Sequence, residues 1–255
     1  RETGMSRMTI MGTKHVISAG HYLAAHAGFE VLEAGGNAID AGVAASMALA
    51  VVQPDIVSFA GVAPTLVYTK DTRAVQSIAG LGYFPKAATA ERLRAAGEGV
   101  VPQGILRTVL PAAPATHIET LRRFGTMSFE EVAAAAYELA HDGFAVYPVL
   151  ARNIEKYQEK YRRWQASVDL YMPGNRTPAL GEIFRQTELA ASIGAMIDAE
   201  RKAPGNRDAK LRAAHDCYYK GSIAQTIVKY HAENGGLLTA EDMAGFEAPV
   251  EPSIS

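Results

Sequence analysis

The chain has 255 residues, of which 48% are hydrophobic and 20% are charged, and its formal net charge is -2. This composition supplies one sizeable core, so the chain does not belong to the disordered class. The nearly balanced charge gives no overall signal for nucleic acid or an anionic membrane as a partner. Because no internal repeat or low-complexity linker divides the sequence, we predict a single domain over residues 1–255, with residues 1–11 as a tail.

The sequence contains a single cysteine, Cys217, which excludes an internal disulfide. Its neighbours Asp216 and Tyr218 form no activating pattern, so a structural thiol is favoured over a nucleophile. Residues 1–11 lack the apolar segment of a signal peptide. The compartment is left open, with the cytoplasm slightly favoured.

In the first half of the chain, hydrophobic periodicity and turn residues predict mixed α and β structure. A strand is expected over residues 8–17, helices over 19–34 and 38–52, a strand pair over 65–68 and 74–78, a loop over 79–85 and a short helix over 88–96.

The helix predicted over residues 38–52 is apolar nearly all round and rich in alanine. Asn37 is its expected N-cap, and Asp40 in the first turn suits the positive end of the helix dipole. Pro54 ends the pattern, since a proline disfavours helical geometry in the residue before it. The segment is too short and too acidic for a membrane span, which indicates a tightly packed core helix.

The second half of the chain is predicted to be mainly helical. The pattern gives a loop broken by glycine and proline over residues 97–114, a helical hairpin over 115–124 and 128–140, a helix over 153–168, and further helices over 187–201, 222–234 and 239–246. Basic and aromatic residues alternate over 153–168, which is compatible with nucleic-acid binding. The interspersed acidic residues favour a solvated helix whose aromatic rings face inward.

An ordered series of segments resembles the large subunit of the gamma-glutamyltranspeptidase family. Residues 15–28 (HVISAGHYLAAHAG) and 35–54 (GGNAIDAGVAASMALAVVQP) carry the strongest similarity. Shorter similarities follow in family order at residues 66–68, 85–89, 123–126 and 235–242. Together they span roughly residues 12–252, and an ordered series is far more specific than one motif.

The resemblance implies an α+β fold, the four-layer αββα sandwich of N-terminal-nucleophile hydrolases, with this chain as most or part of the large subunit. In that family the nucleophile is the N-terminal threonine of a small subunit cut from the same precursor, and its amine acts as the base. No catalytic residue is therefore expected in this chain. The implied partners are that small subunit and a small-molecule amide, without a cofactor, a metal ion, nucleic acid or a membrane span.

The family's substrate-binding arginine is missing at the matching position. Residues 78–85 read IAGLGYFP where the family has a motif close to IDFREMAP, so Leu81 replaces the arginine that binds the glutamyl carboxylate. A leucine cannot pair with a carboxylate. We predict an amidohydrolase or acylase for a non-glutamyl group, with Leu81, Gly82 and Tyr83 at the substrate; Phe84 also makes the pocket more apolar.

Two other interpretations stay open. In the first, Arg107 replaces the missing arginine, and the protein is a true gamma-glutamyl transferase or hydrolase. Arg107 lies in the loop broken by prolines and is the nearest arginine that could take this role. A catalytically inactive scaffold that kept only the fold is the second. Residues 55–64 also depart from the family's glycine-rich pattern, so Phe59, Val62 and Pro64 are expected to reshape the floor of the cleft.

Three histidines near the N-terminal end raise the question of a metal site. His21 and His26 are five residues apart, which is not a spacing for one helix face, and no carboxylate set accompanies them with His15. Structural roles are favoured for all three. No glycine-rich nucleotide motif is present, so no nucleotide cofactor is predicted.

Overall fold

The computed structural model describes residues 9–97 and 99–252. Within these residues the fold is α+β and rich in helix. The helices are α1 (Tyr22–Glu33), α2 (Ala38–Val52), α3 (Ala90–Ala96), α4 (Ala113–Phe124), α5 (Phe129–His141), α6 (Pro148–Tyr161), α7 (Gln165–Tyr171), α8 (Thr187–Lys202), α9 (Arg207–Tyr219), α10 (Ser222–Glu233) and α11 (Ala240–Ala244). The strands are β1 (Thr65–Thr69), β2 (Ala74–Ile78), β3 (Phe144–Ala145), β4 (Ile183–Phe184) and β5 (Val250–Pro252).

Helix α2 is the centre of the helical core, as its apolar sequence predicts. It packs against α1, α4 and α5, and its side chains Met47, Val51 and Val52 are completely buried. Small residues let the neighbouring backbone approach closely: a Cβ added to Gly28 of α1 would lie only 2.7 Å from the Ala41 carbonyl oxygen. The close packing of α1 on α2 therefore depends on these small side chains.

A capping box begins α2. The Asn37 side chain accepts hydrogen bonds from the Ile39 and Asp40 amides, and the Asp40 carboxylate accepts one from the Asn37 amide at 2.9 Å. Asp40 is completely buried and also accepts bonds from the Thr126 hydroxyl at 2.7 Å and from the Thr126 and Met127 amides. One carboxylate thus ties the start of α2 to the connection between α4 and α5.

Helices α8 and α9 pack on each other and extend the core from α5 and α4. The buried Glu200 carboxylate of α8 accepts hydrogen bonds from the Phe129 and Glu130 amides, each at 2.8 Å, and so satisfies the first turn of α5. Tyr219 of α9 donates its hydroxyl to the Pro111 carbonyl at 2.5 Å just before α4. These polar contacts fix how the helices of the core meet.

The larger sheet has the strand order β1-β2-β5 and is antiparallel throughout. Thr65 pairs with Ile78 and Tyr68 with Val75, so each face of the sheet has its own set of side chains. Val67 and Ile78 are buried on the inner face. On the opposite face the apolar side chains of Leu66, Tyr68 and Val75 are exposed, because no other described residue covers them. Strands β3 and β4 form a separate antiparallel pair.

The sequence predictions hold for most helices and fail at four places. Residues 9–17 form no strand because they have no hydrogen-bonded neighbour, and Met8 lies outside the described residues. The helix expected over 153–168 is two helices, α6 and α7, separated by a break, and helix α9 was not predicted. Helices α4 and α5 pack on α2 rather than chiefly on each other as a hairpin.

The aromatic residues of α6 and the α6–α7 connection only partly face inward. Tyr161 stacks on Tyr171 with ring centroids 4.7 Å apart, whereas Tyr157 and Trp164 are 38% and 40% exposed. Both Lys156 and Lys160 lie over the ring of Tyr157. Of the predicted tail, residues 1–8 lie outside the described residues, and residues 9–11 are exposed without regular structure. No helix among the described residues is long and apolar enough to cross a bilayer.

Candidate functional site

Residues 79–85, between β2 and α3, contain the position predicted for the family's arginine and are called the strap below. Backbone hydrogen bonds of 2.9 Å attach the strap to three neighbours. The Ala79 amide donates to the Pro249 carbonyl, and the Gly80 carbonyl accepts from the Ala63 amide. The Tyr83 carbonyl accepts from the Leu110 amide. The strap is irregular in conformation but fixed in position.

Two glycines allow the strap to approach its neighbours this closely. Gly80 has a φ of 58°, in the left-handed region, and a Cβ there would lie 2.3 Å from the Ala63 carbonyl oxygen. At Gly82 a Cβ would lie 1.9 Å from the Leu110 carbonyl oxygen. Neither position accepts a larger residue without movement of the backbone. Gly82 therefore acts in positioning the strap.

The strap presents an apolar surface. Leu81, Tyr83 and Phe84 are 53%, 58% and 46% exposed, and the strap contains no side chain that is charged at neutral pH. The Tyr83 ring also packs edge-on against Phe246, with centroids 6.0 Å apart. Leu81 is thus held at the surface on a fixed backbone, and the structure brings it together with Gly82 and Tyr83.

The end of the strap is anchored to the segment that carries α11. The Lys86 amide donates to the Asp242 carboxylate at 3.2 Å, and the Lys86 ammonium pairs with Glu241 at 2.5 Å. Asp242 also accepts the Thr239 amide and hydroxyl, and these hydrogen bonds to Thr239 and Lys86 hold its pKa below the ordinary value although burial opposes them. The Lys86–Glu241 pair is exposed and adds little stability.

Arg107 lies in the next loop and its guanidinium is engaged by that loop. Its Nε donates to the Val101 and Pro102 carbonyls at 3.2 and 3.0 Å, and its Nη2 donates to Val101 at 2.9 Å. This loop reaches the strap through Leu110, three residues further along the chain. Arg107 as a substrate contact therefore stays a prediction.

The loop over residues 55–64 packs beside the strap, because its Ala63 amide donates to the Gly80 carbonyl. The Gly61 carbonyl accepts the Ala112 and Ala113 amides at 3.0 and 2.9 Å, where α4 begins. Phe59 is buried and packs 6.4 Å from Tyr218 between ring centroids, while Val62 is about half exposed. Phe59 thus belongs to the core, whereas Val62 and Pro64, also expected at the cleft floor, are exposed.

Residues 24–255 match the family described as gamma-glutamyltranspeptidase. The chain belongs to this family. The resemblance predicted from the residues is thereby confirmed.

The chain is similar to both glutathione hydrolase-like and acylase proteins of the family. It is 31% identical over 236 residues to the glutathione hydrolase-like YwrD proenzyme of Bacillus subtilis (strain 168), covering 92% of this chain and 42% of the relative. It is 31% identical over 255 residues to the acylase ACY 1 proenzyme of Pseudomonas sp. (strain SE83), covering 95% of this chain and 43% of the relative. The chain thus spans less than half of the length of these curated relatives.

A solved structure has the same fold. The crystal structure of Helicobacter pylori gamma-glutamyltranspeptidase superposes with a TM-score of 0.85 at 25% identity, covering 95% of this chain and 67% of that chain. The α+β class predicted from the resemblance is confirmed.

The histidines that suggested a metal site have structural roles in this family member. His15 and His26 pair with Glu33 and Glu30 at 3.0 and 3.1 Å, and the His21 ring accepts the Leu23 amide at the start of α1. The structure also contains a histidine contact that the sequence did not reveal, between His117 and Ser46, because the two residues are 71 positions apart. Only the packing of α4 on α2 brings them within 2.9 Å.

Proposed function

We propose that this chain is most or part of the large subunit of an amide-bond hydrolase that acts on an acyl group other than gamma-glutamyl. The nucleophile is the N-terminal threonine of a partner chain cut from the same precursor. The chain contributes one domain, over residues 1–255, and supplies the acyl-binding surface at the strap. Both kinds of relative, the glutathione hydrolase-like and the acylase proenzyme, support an amide hydrolase.

The proposed reaction has two steps. The threonine hydroxyl attacks the amide carbonyl while its own α-amine takes the hydroxyl proton. The amine then gives this proton to the amide nitrogen as the carbon–nitrogen bond breaks, which releases the amine product and leaves an acyl-enzyme ester. Water then hydrolyses the ester and releases the acid. Backbone N–H groups stabilise the oxyanion in each step, so the chemistry requires no metal ion.

Leu81 is the observation on which the non-glutamyl specificity rests. It is held on the fixed strap between Gly80 and Gly82, and its neighbours Tyr83 and Phe84 are also apolar and exposed. A glutamyl α-carboxylate placed here would lose water without gaining a cationic partner, which costs several kcal/mol. An apolar acyl chain would instead gain by burying its surface against these side chains.

The exposed face of the larger sheet supports the four-layer αββα sandwich. Leu66, Tyr68 and Val75 form a row of apolar side chains on a face that the described residues leave uncovered. Sheets with such a face pack it against another layer about 10 Å away. We assign that layer to a sheet of the partner chain.

Intact mass and N-terminal sequencing of everything that co-purifies with this chain test the proposal first. We expect a second polypeptide that begins with threonine. The purified assembly is then assayed with gamma-glutamyl p-nitroanilide and phenylacetyl p-nitroanilide under identical conditions. A higher kcat/KM for the phenylacetyl compound supports an apolar acyl pocket.

The remaining outcomes distinguish the alternatives. Efficient turnover of the gamma-glutamyl compound would overturn the specificity and favour a rearranged carboxylate site with Arg107. A partner without a threonine, serine or cysteine terminus, or no partner at all, would favour the inactive scaffold.

A further inference from the structure

A groove of about 670 Å³ lies between α8 and α10, away from the strap, and is called the α8–α10 groove below. Its other walls are the end of α2, the connection over residues 57–60, and α7. Its volume is in the range of sites that bury a large part of an occupant. The groove is therefore a second candidate binding surface of this chain.

The two helices bordering the groove present small side chains at helical spacing. Ser192 and Ala195 on α8 are three residues apart, and Ser222 and Thr226 on α10 are four apart. Rows at these spacings form the ridges between which another helix packs, and small residues allow close approach of its backbone. The shape of the groove thus suits a helix.

Apolar side chains deeper in the groove supply the surface that such a helix would bury. Leu189 of α8 and Ile223 and Ile227 of α10 are each only partly covered by the rest of the chain. Glu188 is the single lining residue with a formal charge. The groove therefore offers no counter-charge to an anionic ligand and favours an occupant with an apolar face.

Polar side chains also line the groove. Tyr218 is 3% exposed, and burial raises the pKa of its hydroxyl. Beside it the Gln186 amide nitrogen donates to the Val51 carbonyl at 2.7 Å. With so little of Tyr218 exposed, the occupant is expected to meet the groove mainly through apolar contacts.

We infer that the α8–α10 groove binds an amphipathic helix of the partner polypeptide that is cut from the same precursor. The chain covers only 42% and 43% of two curated relatives, so each of those proteins contains a long segment without a counterpart here. The inference rests on the proposed function, because it takes the occupant from the same precursor.

The occupied groove also supports the strap. The connection that includes Ser58 and Phe59 lines the groove, and two residues further on the Gly61 carbonyl accepts the first amides of α4. The Ala63 amide then donates to Gly80 of the strap. A helix in the groove thus holds in place the loop to which the acyl-binding surface is attached.

Photo-crosslinking in the native assembly tests the inference. p-Benzoylphenylalanine is placed at Thr226, which lines the groove, and in a matched variant at Gln225, which is exposed on the same helix outside it. Both variants are expressed from the natural gene, irradiated and analysed by peptide mass spectrometry. We expect the Thr226 position to crosslink to a helix from outside residues 1–255, with at least about tenfold lower yield from Gln225.

A tryptophan pair gives a second measurement. Thr226→Trp fills the groove, and a substitution at the centre of an interface strongly weakens binding. We therefore expect the amount of partner polypeptide that co-purifies to fall at least about tenfold relative to Gln225→Trp. Circular dichroism of both variants checks that the chain itself is folded. Equal recovery from the two variants would contradict the inference.

The remaining outcomes overturn the inference and separate it from the proposed function. A crosslink to a second copy of this chain, a small-molecule adduct, or no crosslink means that the groove does not bind the precursor helix. If the partner threonine and phenylacetyl p-nitroanilide hydrolysis are present without that crosslink, only the groove assignment fails. If no partner polypeptide is found, both fail together.

Discussion

Leu81 places an apolar side chain at a fixed position of the backbone. The strap holds it with hydrogen bonds to Ala63 and Leu110 on either side, so the side chain at position 81 is replaceable while the backbone is not. With 53% of its surface exposed, Leu81 has room for a longer side chain. Specificity for the acyl group is therefore expected to depend on this residue.

Leu81→Arg should introduce binding of a carboxylate. A guanidinium forms charge-assisted hydrogen bonds worth about 1.5–3 kcal/mol, so kcat/KM for gamma-glutamyl p-nitroanilide is expected to rise about tenfold to a hundredfold relative to that for phenylacetyl p-nitroanilide. Steady-state kinetics on both substrates measure the ratio. Leu180→Arg, at another exposed leucine, is the matched control and should leave the ratio unchanged.

His117 is a second residue whose environment determines its chemistry. Its ring is buried between α4 and α2, with Nε2 at 2.9 Å from the Ser46 hydroxyl and Nδ1 without a partner among the described residues. Burial lowers the pKa of His117 from 6.5 to about 4, because the charged ring would lose water. The His117 ring thus binds a proton less readily in the folded chain than in the unfolded chain.

The free energy of unfolding should fall as the pH drops from 6.5 toward 4. The contribution of neutral His117 to the free energy of unfolding is fully present above pH 6.5 and is lost by about pH 4. The total change is about 3 kcal/mol. His117→Gln removes this titration and should flatten the curve measured by denaturant unfolding at a series of pH values. His21 and His231, whose pKa values burial also lowers, contribute part of the remaining slope. Below pH 5 carboxyl groups such as Glu182, whose pKa the Arg176 side chain lowers to about 2, contribute as well.

An unchanged slope in the His117 variant would mean that the ring is not the group that titrates.

At the scale of elements, the strap is positioned by packing rather than by its own regular structure. Its backbone lies against two segments that are distant in sequence, near Ala63 and near Leu110, and only glycine fits at the two contacts. Glycine in an irregular segment costs conformational entropy on folding, which the strap offsets through its three backbone hydrogen bonds. A larger residue at either contact must move the backbone.

Gly82→Ala should therefore displace the strap. The added Cβ would meet the Leu110 carbonyl oxygen at 1.9 Å, so we expect a loss of about 1–3 kcal/mol in stability and a raised KM for the acyl substrate. Denaturant unfolding and steady-state kinetics measure the two effects. Gly42→Ala is the control: this helical glycine of α2 has no atom within 4 Å of its added Cβ, and the change should stabilise by up to about 1 kcal/mol. Similar behaviour of the two variants would contradict the role of Gly82.

At the scale of the whole molecule, two exposed apolar surfaces besides the strap stand apart from the buried helical core. One is the outer face of β1 and β2, with Leu66 and Tyr68, and the other is the α8–α10 groove. The described chain covers neither, although its helices pack closely around α2. Assembly with a partner polypeptide would remove both surfaces from water.

Leu66→Lys should impair assembly without unfolding the chain. Leu66 is 72% exposed here, so a lysine meets water in the isolated chain but would be buried against the sheet proposed for the partner. We expect co-purification of the partner polypeptide to fall strongly, with an unchanged unfolding midpoint for the chain alone. Leu180→Lys replaces another exposed leucine and should leave assembly intact. Normal assembly of the Leu66 variant would exclude this face from the interface.

The sequence by itself determined the features whose interactions lie within a few residues of each other. Asn37 and Ser128 are helix N-caps whose side chains accept hydrogen bonds from amides within three residues, and each belongs to a capping box. The apolar run of α2 and the strand pair β1–β2 were also predicted from neighbouring residues alone. The family, and the match of Leu81 to the family's arginine, were predicted from motifs that occur in family order along the chain.

Only the tertiary structure decided the features that join distant segments. The four bonds of Asp40 to Thr126 and Met127, the contact of Gly82 with Leu110, and the α8–α10 groove depend on how helices meet. Residues 9–17 alternate like a strand, yet a strand forms only where another chain segment accepts its hydrogen bonds. Local sequence patterns specify which helices and strands form. The close packing of small side chains specifies how these elements meet, and therefore which surfaces stay exposed to a substrate or a partner.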